Sequence, residues 1–167
     1  TKTDVMIAIG SSFDKLAVAH AVSAQTDLRA QLGAMAMFGS FAHLVDQLTK
    51  PGVADPDVFE LLEELATTWR RAVREPTPER ARLLYAAASL RLMSSLGYAP
   101  SFERADVCDE ATKLLHVLPS APLSFALAVT ASGLAFREVA ATVEAALEQT
   151  PLAERPHGPA TIAAILT

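Results

Sequence analysis

The sequence predicts an all-α fold, a bundle of about five to seven helices that follows a short N-terminal strand. Apolar residues recur at steps of three and four positions along several segments, as they do on one face of an amphipathic helix. The pairs Asp55-Pro56 and Thr77-Pro78 each place a capping side chain before a proline, which is typical of a helix start. Hydrophobic residues make up 51% of the chain but aromatic residues only 6%, and this alanine-rich composition favours packed helices over a sheet sandwich.

The first fifty residues contain one predicted strand and two predicted helices. Residues 3–10 form an apolar run that ends at a glycine, which is consistent with a strand. Residues 11–25 begin with hydroxyl side chains and Asp14, which favour a helix start, and they predict a short helix. A longer helix extends from Leu28 to a stop at Lys50-Pro51-Gly52. Its apolar stripe comprises Leu28, Leu32, Met35, Phe38, Ala42, Val45 and Leu48.

Two helices with strong start signals follow. The first extends from Asp55-Pro56 to Val73, with acidic residues in its first half and arginines in its last, an order that suits the helix dipole. The second extends from Thr77-Pro78 to Gly97, because glycine readily adopts the left-handed conformation that closes a helix, and Pro100 prevents continuation.

Beyond Pro100 the apolar period is weaker, and proline and charged residues interrupt it. The predicted elements are a loop over 101–122 with one helical turn near 112–117, a strand or helix over 123–129, a helix over 133–149, and a final helix from Pro159 that carries Ile162 and Ile165.

Length, charge and cysteine content restrict the class of protein to which the chain can belong. At 167 residues the chain suits one compact domain with a sizeable core. One cysteine cannot form an internal disulfide, and neither a secretory leader nor a membrane-spanning apolar run is found, so a cytoplasmic location is expected. The net charge of −5 would repel nucleic acid, whose binding relies on neutralisation of phosphates by a basic surface. Any DNA contact is therefore expected to be local or to lie elsewhere in the parent protein.

The most informative stretch surrounds Gly97. A helix there ends in a pattern close to Leu-Leu-x-x-Leu-Gly-Tyr-x-Pro and leads toward a cysteine, through Leu92, Leu96, Gly97, Tyr98, Pro100 and Cys108. In these residues the chain resembles the C-terminal helical domain of the RecO family, in which such a helix leads into a cysteine-containing loop.

The resemblance implies a non-enzymatic recombination mediator in DNA repair, without a cofactor, that helps to load RecA onto single-stranded DNA. RecO proteins carry an oligonucleotide-binding barrel before the helical domain. This assigns residues 1–10 to a linker or trailing strand of that barrel and residues 11–167 to the helical domain. The implied partners are the acidic, phenylalanine-ended tail of single-stranded-DNA-binding protein, RecR, and DNA, the last contacted through the parent protein and weakly by this chain.

Two groups of residues are candidate contacts for those partners. Arg70, Arg71 and Arg74 concentrate positive charge and are candidate anion- or DNA-binding residues. They also complement the carbonyl end of a helix, which explains them without a ligand. Where some RecO proteins have basic residues and an aromatic, this chain has alanine at residues 86–88. The candidate partner-binding residues that remain are Arg82, Arg91, Leu92 and Tyr98.

Neither a metal site nor a catalytic site is expected. The family sometimes binds zinc with four cysteines near the position of Cys108, but the others are missing here and Cys108 is expected to pack. The stretch Ala131-Ser132-Gly133 could hold an anion on its backbone amides or simply start a helix. Self-association through Gly33 and Gly39 stays open as an alternative function. So does small-ligand binding or an enzymatic role in a cavity lined by Met35, Met37, Phe38, Phe41 and Trp69.

Overall fold

The computed structural model describes residues 1–50, 53, 55–72, 77–102 and 106–150. Within these ranges the chain forms a two-stranded antiparallel hairpin followed by helices. The prediction of a helical bundle with an N-terminal strand is therefore confirmed. The elements are β1 (Lys2–Ala8), β2 (Lys15–Ser23), α1 (Thr26–Arg29), α2 (Leu32–Leu48), α3 (Pro56–Ala72), α4 (Pro78–Ser95), α5 (Asp109–Val117), α6 (Leu123–Ala128) and α7 (Gly133–Gln149).

The predicted helix over residues 11–25 is wrong, because most of this segment forms strand β2. In the antiparallel ladder Val18 pairs with Met6 and Ala19 pairs with Val5. Strand β1 needs a partner for its backbone N–H and C=O groups, and the next extended segment of the chain supplies one. The apolar residues of β2 fit a ladder as well as a helix, so pairing with β1 decides between the two.

The hairpin presents an apolar face that no described helix covers. Val5 and Ile7 lie on the same face of β1 and are each 54% exposed. Neither strand packs against a helix within the described ranges. The side chain of Lys2 reaches across to the bundle, where its ammonium forms an ion pair with Glu63 of α3. An uncovered apolar face of this kind is typical of a surface that meets another structure.

Helix α4 lies at the centre of the bundle and packs against α2, α3, α6 and α7. Every side chain of α4 from Leu83 to Leu90 is buried, so this stretch has no face toward solvent. Tyr85 meets Phe41 of α2 edge to face, with the ring centroids 6.2 Å apart. Burying a side chain of this size stabilises a fold by about 1.5–3 kcal/mol. Other large side chains of the core are Met37, Leu44, Leu65, Trp69, Leu92, Met93 and Leu115.

Helix α2 is rotated relative to the predicted apolar stripe. That stripe included Leu32 and Met35, which are exposed, whereas Met37 and Phe41 are fully buried. The segment is apolar on both sides, so its periodicity fits two rotations, and packing against α4 selects the one that buries the Phe41 ring. Gly39 is exposed, with open space where a Cβ would stand, so no described residue approaches it closely.

The predicted starts of α3 and α4 are confirmed by their capping hydrogen bonds. Asp55 Oδ1 accepts the backbone N–H of Val58 at 3.2 Å. Thr77 Oγ1 accepts the backbone N–H of Arg80 at 3.3 Å. In both cases a proline follows the cap, where its missing N–H leaves no helical hydrogen bond unmade.

The end of α4 at Gly97 is confirmed as well. Gly97 has φ +81°, in the left-handed region that favours glycine. The N–H of Tyr98 donates to the carbonyl of Met93 at 2.7 Å, and the N–H of Gly97 donates to that of Ser94 at 3.2 Å. These two bonds define a Schellman motif, which satisfies carbonyl groups at the end of the helix.

The three C-terminal helices correspond to the elements that the sequence predicted less clearly. Helix α5 lengthens the predicted turn, α6 is a helix where the sequence also allowed a strand, and α7 has the predicted bounds. Leu123 and Ala126 of α6 are buried, since this short helix packs against α3 and α4. Some predictions fall outside the described residues: the helix stop at Pro51-Gly52, the helix end at Val73, the site residue Arg74, and the final helix from Pro159 with Ile162 and Ile165.

Candidate functional site

Arg91, a predicted partner-binding residue, forms a partly exposed ion pair between two helices of the bundle. Its Nη1 lies 2.5 Å from Oε2 of Glu64 on α3. The other oxygen of Glu64 accepts the backbone N–H of Leu123, at the start of α6, at 2.6 Å. Glu64 therefore links α3, α4 and α6, and the guanidinium of Arg91 is already paired with a carboxylate.

The surface beside Arg91 is acidic. A cavity of about 400 Å³ lies there, and its polar lining consists of Asp57 and Glu60 of α3 and of Arg91, Ser94 and Ser95 of α4. The two carboxylates at its wall outnumber the one guanidinium, which is paired with Glu64, so the wall disfavours a further anion. The cavity therefore fits a neutral or cationic group better than it fits an acidic peptide.

The other predicted partner-binding residues are not brought together. Leu92 is fully buried, so its side chain belongs to the core. Arg82 is half-buried, and its Nε has no hydrogen-bond partner within the described part of the chain. Tyr98 is 45% exposed just after α4. Neither Arg82 nor Tyr98 lines the acidic cavity or the groove described below.

The predicted anion-binding arginines lie at the C-terminal end of α3. Arg70 and Arg71 are exposed in its last turn, where positive charge complements the helix dipole, and Arg74 is outside the described residues. Arg71 also lines a cavity of about 380 Å³ together with Glu63 and Glu64. Arg70 and Arg71 are accessible from solvent, and their role in binding anions stays a prediction.

A larger groove lies between α1, α2, α3 and the start of β1, and we call it the hairpin groove. Its volume of about 600 Å³ falls in the range of roughly 300–1,000 Å³ that is typical of ligand pockets. Of its apolar lining residues, Met35 and Phe59 are 53% and 51% exposed, whereas Leu28 and Ala34 are buried. The apolar lining consists of Leu28, Ala34, Met35, Phe38, Phe59, Leu62 and Ala66.

Polar side chains frame the hairpin groove. The Lys2 ammonium lies 5.5 Å from the centroid of the Phe59 ring and pairs with the carboxylate of Glu63. Arg29 is exposed in α1, and no described carboxylate pairs with its guanidinium. Gln25, with φ 50°, turns the chain from β2 into α1 beside the groove. The groove thus combines apolar walls with one paired and one free cationic side chain within the described ranges.

Sequence reasoning missed the hairpin groove because it assigned Met35 and Phe38 to the core stripe of α2. A usable signal was Phe59, which lies outside the buried stripe of α3 that includes Leu61 and Leu65. Of the residues proposed to line a ligand cavity, Met35 and Phe38 line this groove. Met37, Phe41 and Trp69 are buried core residues.

Two carboxylates hold the α5 and α7 helices together at their N-terminal ends. The hydroxyl of Ser132 and its backbone N–H both donate to Glu110, at 2.6 and 3.0 Å, and they lower the pKa of that carboxyl group. The backbone N–H of Cys108 donates to Glu138 at 2.8 Å and lowers the pKa of Glu138. The predicted anion-binding stretch at residues 131–133 therefore binds a carboxylate of the chain itself, that of Glu110.

Groups of three or more His, Cys, Asp or Glu side chains that could bind a metal ion are absent from the described ranges. Cys108 is partly buried and packs against the core. None of the helices in the described part of the chain has the length and apolar character needed to cross a membrane.

Fold and surface together define a class, an α-helical bundle domain that bears an apolar groove with cationic side chains at its rim. The family model described as Recombination protein O C terminal matches residues 29–149, more than half of the chain. The chain therefore belongs to the RecO C-terminal family, and RecO is a non-catalytic recombination mediator. Searches of the curated proteins and of the solved structures find no match.

Proposed function

We propose that this chain is a mediator module of recombinational DNA repair that helps to load RecA onto single-stranded DNA in the cytoplasm. It does so by binding the acidic tail of single-stranded-DNA-binding protein and by contacting RecR. The family match over residues 29–149 is the observation that carries this proposal. The groove supports it, because an apolar groove with cations at its rim suits a peptide that combines an aromatic ring with acidic groups.

We assign most of the DNA contact to parts of the parent protein outside this chain. The net charge of −5 opposes binding of this chain to phosphates. Arg70, Arg71 and Arg74 remain the proposed local contact for an anion. We expect weak binding of single-stranded DNA at physiological salt in a gel-shift assay, and tight, salt-resistant binding would contradict this part of the proposal.

Residues 1–23 are proposed to belong to an oligonucleotide-binding barrel that precedes the helical domain. The resemblance assigned residues 1–10 to a linker or trailing strand of that barrel, and the pairing of β2 with β1 supports extending the assignment to Ser23. The uncovered apolar face around Val5 and Ile7 is the kind of face that further strands of a barrel cover.

Titration of a labelled acidic peptide that ends in phenylalanine tests the tail-binding function. The 167-residue chain is titrated into the peptide and fluorescence anisotropy is followed. Saturable binding that weakens with salt and disappears when the terminal phenylalanine is removed is the expected result. Absence of binding at low salt would overturn tail binding by this chain.

A further inference from the structure

We infer that the hairpin groove, and not the surface around Arg91, receives the acidic, aromatic-ended peptide. This inference rests on the proposed function and adds the place and the residues of docking. Its starting observation is that the two surfaces differ in both polarity and charge. The hairpin groove is mainly apolar, and its charged lining residues are Lys2, Arg29 and Glu63. The cavity beside Arg91 is more polar, and its charged lining residues are Asp57, Glu60 and Arg91.

The charge of Arg91 is already offset by a carboxylate of the bundle. Its guanidinium contacts Glu64, which also accepts the N–H of Leu123. A peptide carboxylate would share the guanidinium with Glu64, whose negative charge already offsets that of Arg91. Asp57 and Glu60 next to Arg91 add two further negative charges that oppose an acidic ligand.

The hairpin groove offers the opposite arrangement. Met35 and Phe59 line the groove and are each about half exposed, so an aromatic side chain of a ligand can bury apolar area that is now in contact with water. The Phe59 ring is also positioned to contact such a side chain directly. The groove volume of about 600 Å³ accommodates a short peptide segment rather than one ring alone.

Two cations flank this apolar surface. Arg29 has an exposed guanidinium that can bind a carboxylate in a bidentate manner. Lys2 is held by Glu63 close to the Phe59 ring, so a ligand carboxylate competes with Glu63 for the ammonium. Glu63 therefore restrains binding, and its removal increases the positive charge that the ligand meets.

The variants for the test are chosen from exposed positions so that the fold is retained. Phe59→Ala removes the accessible ring, Met35→Glu places a negative charge in the groove, and Arg29→Ala removes the free cation. Arg137→Ala is the matched control, because Arg137 is an exposed arginine on α7, which packs against α4 and α5 and not against the groove. Circular dichroism verifies that each variant is folded.

The peptide titration is repeated with these variants and with a peptide whose terminal carboxylate is amidated. Phe59→Ala, Met35→Glu and Arg29→Ala should each weaken binding by about tenfold. Glu63→Gln should tighten binding about threefold, a gain that a purely structural role of Glu63 does not produce. Arg137→Ala should leave the affinity unchanged. The amidated peptide should lose more affinity for the unaltered chain than for Arg29→Ala, because both changes remove the same ion pair.

The outcomes separate the inference from the function on which it rests. If the unaltered chain binds the peptide, and Tyr98→Ala or Arg82→Ala weakens binding while Phe59→Ala does not, the groove assignment is wrong and the tail-binding function stands. If the unaltered chain does not bind the peptide, both fail. Weakening by the three groove variants together with tighter binding by Glu63→Gln supports the groove.

Discussion

The hairpin and the central helix of the bundle use apolar residues in opposite ways. Val5, Ile7 and Leu16 of the hairpin are all more than half exposed, whereas every side chain of α4 from Leu83 to Leu90 is buried. Both segments are rich in apolar residues, so composition does not separate them. The difference is the number of neighbours, since four helices surround α4 while the two strands have each other as partners within the described ranges.

This difference shows where the stability of the chain resides. The helices of the bundle bury one another's apolar side chains, so the bundle should lose stability when buried volume is removed. The hairpin depends on a surface beyond its two strands, and the same loss of volume there should matter little.

The largest effect is expected from a cavity in α4. Leu84→Ala should lower the free energy of unfolding by about 3 kcal/mol, because a fully buried leucine is replaced and its neighbours cannot close the space completely. Ile7→Ala in the hairpin is the matched control and should change it by less than about 0.5 kcal/mol. Urea unfolding followed by the fluorescence of the buried Trp69 measures both. Equal losses would show that the hairpin is as well packed as the bundle.

A smaller loss is expected where polar groups hold the bundle together. Glu64→Ala should cost about 2 kcal/mol, because it removes the partner of Arg91 and leaves the N–H of Leu123 without its acceptor. Glu64→Gln keeps an acceptor and should cost about half as much. Glu60→Gln, at an exposed position of the same helix, should have almost no effect in the same unfolding experiment. Indistinguishable values for Glu64→Ala and Glu60→Gln would show that the link between the three helices contributes nothing.

Gly97→Ala should lower the free energy of unfolding by about 1 kcal/mol, because an alanine is strained at φ +81° although there is space for its Cβ. Gly133→Ala is the control for added volume alone, since open space also surrounds a Cβ there and no left-handed conformation is required. That control should be neutral or slightly stabilising in thermal unfolding. A neutral Gly97→Ala would mean that the end of α4 relaxes without cost.

The smallest expected effect is a pH dependence of the stability of the bundle, which arises where α5 meets α7 and not in the hairpin. Hydrogen bonds lower the pKa of Glu138 and of Glu110 in the folded chain, so their contribution is present above the ordinary glutamate pKa and is lost as the pH falls below it. Thermal unfolding of the unaltered chain and of Glu138→Gln should therefore differ less at pH about 3 than at neutral pH. A difference that is constant with pH would contradict this assignment.

Local signals in the sequence were sufficient for several elements. Thr77-Pro78 and Gly97 fixed both ends of α4, because caps and a left-handed glycine act within a few residues. Helix α7 was located by a continuous apolar period in the same way.

Features that depend on distant segments could not be predicted from such signals. Strand β2 was assigned to a helix because its partner β1 decides its conformation. The rotation of α2 depends on Tyr85 of α4, which contacts Phe41. The hairpin groove is formed by four elements, and only their packing brings Arg29, Met35 and Phe59 to one surface.

The alanines at residues 86–88 limit how this domain can diversify. Three successive methyl groups point in different directions around one turn of α4, and all are buried against neighbouring helices. In this chain a larger residue at any of these positions would force helix axes apart, so the basic and aromatic residues of some RecO proteins require neighbouring helices that are spaced differently. A change in the ligand preference of this chain is therefore expected to need substitutions at the periphery, where exposed positions can be exchanged without moving the central helix.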